Sequence, residues 1–127
     1  NYMMAKAQLE TLESIMNDME REYIKAHGIV NDNGESPKAI YCIDDEATFN
    51  RVNAECGELP EFKSNFAEQL EARKTLEAAE NMLVEYGLSI APAKEREILR
   101  KSASENYTTK EKIISMVMKL DVSTVRA

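Results

Sequence analysis

The chain has no Trp, three Phe, four Gly, three Pro, two Cys and one His among its 127 residues. With aromatics at 6% and so few glycines, a β-sandwich with its many tight turns is a poor fit. Two cysteines, Cys42 and Cys56, are too few for a disulfide scaffold and are expected reduced and packed. One histidine, His27, with no ligand spacing around it, leaves no zinc site to propose. The longest uncharged apolar stretch falls far short of a membrane span, and NYMMAKAQLE lacks the apolar run of a signal peptide. A cytoplasmic protein, host-cytoplasmic if phage-encoded, is expected. A nucleophile elbow, a phosphate-binding glycine loop and HExxH are missing too. The expectation is a non-enzyme without cofactor or metal.

What is present is helix-forming and charged. Hydrophobic residues make up 43% and charged residues 31%, for a net charge of −7. The charge is uneven: residues 1–87 hold 8 Lys/Arg against 18 Asp/Glu, and residues 88–127 hold 8 against 5. The chain as a whole repels nucleic acid, so any basic surface must come from its last third.

Tyr2, Ala5, Leu9, Leu12, Met16, Met19, Tyr23 and Ala26 alternate at spacings of three and four, a heptad seam over residues 2–27. Ile15 widens the stripe, and Gly28 ends the helix, with His27 placed as a cap in its last turn. GIVNDNGESP is a connector. It is not a calcium loop, because Gly34 at the sixth position would put Ile29 first and Ile40 last. Ala39–Ile43 (AIYCI) has no partner strand, so a buried extended segment or a helix start is expected. Asp44 or Asp45 then caps a short helix to Cys56, with Phe49, Val52 and Cys56 inward and Gly57 as its stop.

The main helix is expected from near Phe62 or Ser64 to Tyr86, with a second seam through Ala72, Leu76, Ala79, Leu83 and Tyr86. Phe66, Leu70 and Met82 flank that seam, while Glu77, Glu80 and Glu85 stay on the wet face. Gly87 is expected to stop the helix, and Ala91-Pro92 to open the next, which runs to about Ala103. Thr108, with Glu111 three residues on, reads as the capping box of a last helix over about Thr109–Leu120. The ending LDVSTVRA carries the Val-Ser and Thr-Val pairs of a helix-turn-helix without the residues between them, so a frayed tail is expected.

These patterns give an all-α chain, a long antiparallel helical hairpin with additional short helices. Residues 1–103 form the hairpin, the inserted short helix and the proline-started helix; residues 104–127 form a C-terminal helix and tail. The helix–helix interface falls on Leu9, Leu12, Met16, Met19 and Tyr23 facing Leu76, Ala79, Leu83 and Tyr86.

The stretch MLVEYGLSIAPAKEREIL resembles a recurrent element of phage terminase small subunits. There a long helix ends at a Leu-Gly-Leu-like triplet, followed by a Thr-Pro-like pair, then small and basic residues leading to a Leu. Tyr86-Gly87-Leu88, Ala91-Pro92, and Lys94, Arg96 and Leu99 stand for those parts. Ala91 replaces the usual hydroxyl residue, Ala93-Lys94 stands where Ser-Arg is common, and residues 38–63 look like an insertion. The resemblance implies a DNA-packaging component: a homo-oligomer associating with viral DNA and the large terminase subunit. It makes Lys94, Arg96, Arg100 and Lys101 the candidate phosphate-contacting patch. The alternative is a helical adaptor or scaffolding module that binds only protein.

Leu12→Asp and Leu76→Asp each place an unpaired charge in the hairpin seam. Each should lower unfolding stability by about 2 kcal/mol or more in denaturant melts. Wild-type melting of both variants would mean that the helices are paired wrongly.

Overall fold

Five helices carry the chain in a computed structural model that describes residues 2–126, with side chains as far as residue 120. They are α1 (Tyr2–Ala26), α2 (Glu46–Gly57), α3 (Pro60–Ile90), α4 (Ala93–Glu105) and α5 (Tyr107–Arg126), with one short 3-10 turn at Ile40–Cys42. No strand occurs among the described residues. The protein is all-α, as its heptad spacings and low aromatic content predict. The frayed tail expected at LDVSTVRA is not what the backbone shows: α5 continues as helix through residues 121–126.

Two compact units divide the chain inside α3: residues 3–74, and residues 75–127 together with residues 1–2. A boundary at 103/104 does not separate them, because α4 and α5 belong to the same unit.

In the first unit, α1 runs antiparallel to the start of α3. Asn65 Nδ2 donates to the Leu12 carbonyl at 3.1 Å, while Phe62 joins the core that holds Ile24 from the other end of α1. Arg73 and Glu13 pair at 3.8 Å farther along. Ile24, Ile29, Ile40, Ile43, Val52, Cys56 and Phe62 form the core, with Met16, Met19 and Tyr23 against it. α1 ends because Gly28 takes φ +63°, a left-handed conformation that glycine adopts without a Cβ penalty. The Gly28 and Ile29 N–H groups then reach back to the Lys25 and Ile24 carbonyls. Ile29 is thereby swung onto Ile24, which ties the stop to the core.

The AIYCI segment takes the 3-10 turn and needs no partner strand, because side chains satisfy its backbone. The Glu20 carboxylate accepts from Ile40 N at 2.9 Å. Asn31 donates from Nδ2 to the Cys42 carbonyl at 3.0 Å and accepts from Asp44 N at 3.1 Å. Asp45 caps α2, accepting from Thr48 N at 2.9 Å and from its hydroxyl at 2.6 Å. The same bonds hold the Asp45 carboxyl below its usual range. Val52 and Cys56 point inward with Phe49 beside them, and α2 ends at Gly57, as expected.

α3 departs from expectation in four ways, the last of them at Gly87. It starts at Pro60, where the missing N–H costs nothing. Its seam reaches back through polar residues: Asn65 and Gln69, both buried, continue the three-and-four spacing of Phe62 and Ala72. Gln69 Nε2 donates to Asn65 Oδ1 at 2.6 Å, so the pair is satisfied internally. Its second half also turns a different face inward. The buried positions become Glu80, Val84 and Leu88, while Leu76, Ala79 and Leu83 are half-buried and Tyr86 is 55% exposed. Tyr86 therefore does not pack in a helix–helix seam of its own chain, and Glu80 is not on the wet face. A helix of 3.6 residues per turn drifts by about 20° per heptad against a seven-residue repeat, and a step of four follows that drift.

Gly87 does not stop α3, which continues to Ile90. A Cβ at Gly87 would lie 2.5 Å from Ile113 Cγ2 and 3.1 Å from Val117 Cγ2 of α5. The glycine is there for close approach. Val84, Leu88, Ile113, Ile114 and Val117 form the core of this second unit, with Leu83, Leu99 and Ala103 against it. α5 begins two residues earlier than expected, and Asn106 caps it in place of Thr108: its Oδ1 accepts from Thr108 N at 3.0 Å.

Gly87→Ala tests the close approach. Alanine favours a helix interior over glycine by about 1 kcal/mol. Here overpacking against a stiff, buried Ile113 costs about 1–3 kcal/mol, and the net should be a loss. Adding Ile113→Ala, which removes the clashing methyl, should make Gly87→Ala neutral or stabilising in a double-mutant cycle of denaturant melts.

Candidate functional site

The four basic residues singled out by sequence all lie on α4, but they do different things. Arg96 lies over the end of α3, where helix geometry leaves carbonyls without partners. Its Nε donates to the Leu88 carbonyl at 3.0 Å, and Nη2 reaches the Ala91 and Ser89 carbonyls at 3.3 and 3.4 Å. A guanidinium at a helix C-terminus also complements the helix dipole. Arg100 binds both oxygens of Glu85, at 3.0 and 3.2 Å, and lies 3.7 Å from Glu97. That pair is exposed and worth at most about 1 kcal/mol, so an incoming phosphate could compete for it. Lys94 and Lys101 are exposed and make no ion pair among the described residues.

Arg96 therefore shapes the corner between α3 and α4, and Arg100 braces it. The outward positive charge of α4 is carried by Lys94 and Lys101, with Glu95, Glu97 and Glu105 also exposed along the helix. Between the two lysines on the same face stands Ile98, 71% exposed, while Leu99 and Ala103 take the opposite face into the core.

A second arrangement lies in residues 3–74. A cleft of about 350 Å³ opens where α1, the 3-10 turn, α2 and α3 converge. Met16, Ile40, Phe62 and the exposed Phe66 give it apolar walls; Glu20 and Gln69 supply acceptors. Glu20 uses one carboxylate oxygen on Ile40 N. Gln69 is 6% exposed and its recorded bond is through Nε2. Gln69 Oε1 has no hydrogen-bond partner among the described residues and, with no fully buried polar side-chain atom unpartnered there, keeps some solvent access. Lys63 at the rim is 3.4 Å from Glu58.

Sequence reasoning did not find this cleft. The available signal was the heptad spacing 62, 65, 69, 72, which marks Asn65 and Gln69 as inward despite their polarity.

Cys56 also lines the cleft, and its chemistry is muted. Burial, followed by the negative charges of Glu20 and Glu55, pushes its thiol up to about 11. Tyr23 is pushed up to about 12, first because its hydroxyl donates to Glu55 Oε2 at 2.5 Å. The Tyr23 ring stacks on His27, with centroids 3.9 Å apart, and His27 Nδ1 lies 2.9 Å from the Tyr23 carbonyl. His27 is thus held locally at the end of α1, in the place expected of a cap. In the second unit, Tyr107 donates to the buried Glu80 at 3.3 Å, and the negative charge of Glu80 raises its hydroxyl above the ordinary range.

Among the described residues no group of His, Cys, Asp and Glu is placed to hold a metal ion. No helix among them is long and apolar enough to cross a membrane. Searches of protein-family models, curated proteins and solved structures give no match to this chain.

The raised Cys56 and Tyr23 values set an alkaline limit. In both cases the folded chain holds its proton more tightly than the unfolded chain does. Their contribution is complete below the ordinary thiol value of 9.0 and is lost as pH rises towards about 11 and 12. Unfolding stability should therefore fall steadily above pH 9. At pH 8 in Cys42→Ser protein, Cys56 should react with Ellman's reagent roughly a hundredfold slower than in urea. Equal rates would show that the thiol is not protected.

Proposed function

We propose that the chain is a non-catalytic phage DNA-packaging component of the terminase small-subunit kind. In this reading it assembles with copies of itself and associates with viral DNA and the large terminase subunit. One observation carries the reading: five residues of the resemblance act together as one corner, while Tyr86 and Lys94 stay exposed. Leu88 is a core residue, Gly87 admits α5, Pro92 opens α4, Arg96 ties α4 to the end of α3, and Leu99 seats it. A motif whose members share one structural job is harder to reach by chance than a string of matching letters. Exposed apolar residues support assembly: Met82, Tyr86 and Ile90 lie one turn apart along α3.

In this role the DNA contact is electrostatic and non-specific, made by Lys94 and Lys101 with Arg100 once it leaves Glu85. A second reading is a helical adaptor that binds only protein. It is favoured by the commitment of Arg96 and Arg100 inside the chain and by the net charge of −7.

Native mass and DNA retention at increasing salt separate the two. The packaging reading expects a ring-sized oligomer that retains duplex DNA at low salt, releases it as salt rises, and is weakened by Lys94→Glu with Lys101→Glu. A monomer or dimer indifferent to DNA at every salt concentration sinks it and leaves the adaptor.

A further inference from the structure

We infer that copies of this chain join head to tail, the outward face of α4 on one copy seating in the cleft of residues 3–74 on the next. This rests on the assembly part of the reading above and supplies its interface.

The two surfaces are complementary in shape and charge. The cleft presents Phe66, 53% exposed, beside Met16, so apolar area that its own chain leaves uncovered lies at the mouth. Glu20 and Gln69 also line it, and Glu20 has a second carboxylate oxygen and Gln69 an amide oxygen to offer. Both are acceptors, and neither has a hydrogen-bond partner among the described residues. Two open acceptors beside apolar walls suit an ammonium group on a hydrocarbon stem. The cleft's own cation, Lys63, lies at the rim in an exposed pair with Glu58.

α4 carries the matching groups. Ile98 stands out from the helix with Lys94 one turn before it and Lys101 one turn after; Glu97, drawn towards Arg100 at 3.7 Å, borders the two lysines, and Glu105 follows at the helix end. Ile98 would cover Phe66 while one lysine stem lies along the cleft and its ammonium reaches Glu20 and Gln69. The surrounding charge favours the same pairing: residues 3–74 hold 15 acidic side chains against 8 basic ones. Opposite potentials orient the encounter as well as holding the contact.

The two halves of this contact differ. An interface between unlike surfaces uses one of each per copy, and it continues into a closed ring or an open filament depending on the rotation per step. A two-fold contact would stop at a dimer.

The test uses that asymmetry. Phe66→Glu spoils the cleft and leaves the α4 face intact; Ile98→Glu does the reverse. Both residues are exposed, so each variant should keep the wild-type helical signal and melting temperature. Sedimentation should show a wild-type oligomer and two monomeric variants. An equimolar mixture should give a one-to-one dimer that grows no further, since one good cleft and one good face remain. Lys94→Glu with Lys101→Glu provides a second disruption of the α4 side should Ile98→Glu fold poorly. A wild-type oligomer untouched by these substitutions overturns the inference. So does a monomeric wild type, or a mixture that stays monomeric. DNA retention on the same samples keeps the two proposals apart. An assembly that the variants break but that ignores DNA leaves the interface standing and removes the packaging role. A DNA-retaining assembly that ignores the variants does the opposite.

Discussion

α3 must bury a different face in each half of its 31 residues, against two different partners, and the rest of the chain follows from how it does so. Its first half meets α1 through Phe62, Asn65, Gln69 and Ala72. Its second half meets α5 through Val84, Gly87 and Leu88. The first contact is specified by hydrogen bonds in an otherwise apolar seam. Asn65 is satisfied only where the Leu12 carbonyl is in reach, so sliding α1 by one turn would leave a buried amide unpaired at a cost of about 1–3 kcal/mol. The second contact is specified by shape: the Ile113 methyl group fits where there is no Cβ. Each half of the helix therefore has its own device against slippage, and the change of device coincides with the change of partner.

The heptad seam on α1 was legible because its members are apolar and regular, and Leu12, Met16 and Met19 sit at or near the core as their spacing requires. The caps at Gly28 and Asp45 were legible for the same reason: each needs one residue type at one position. Three features of α3 were hidden. Asn65 and Gln69 read as surface by composition, and only their position in the repeat marks them as inward. Glu80 looked solvated because nothing in the sequence announces that Tyr107 will cover it. Gly87 is ambiguous in principle, since a glycine that ends a helix and one that admits a neighbouring helix are written identically. Only the Ile113 and Val117 contacts decide between them.

The candidate site shows a related limit. A cluster of Lys and Arg on one short helix reads as a positive surface, yet sequence spacing does not say which charges are already used. Arg96 faces carbonyls that exist only because α3 ends where it does, and Arg100 meets a carboxylate fifteen residues away. The cleft was less legible still, because Glu20, Ile40, Phe66 and Gln69 come from three separate elements with no shared motif.

Charge then decides what α4 can offer a partner. Arg96 is partly covered and makes three carbonyl contacts, so releasing it would expose the end of α3 and loosen the corner. Arg100 is exposed, and its Glu85 pair is weak enough to exchange for a stronger anion. Lys94 and Lys101 are ready as they stand. Three cations on a chain of net charge −7 make a small electrostatic footprint for one copy. Counterion release scales with the number of phosphates neutralised, so the footprint becomes substantial only when several copies present it side by side. If α4 also seats in a neighbour's cleft, however, Lys94 and Lys101 serve either the neighbour or the phosphate at any one time. On the proposed reading, assembly and DNA contact would draw on the same two ammonium groups, leaving Arg100, outside that face, as the cation for phosphate.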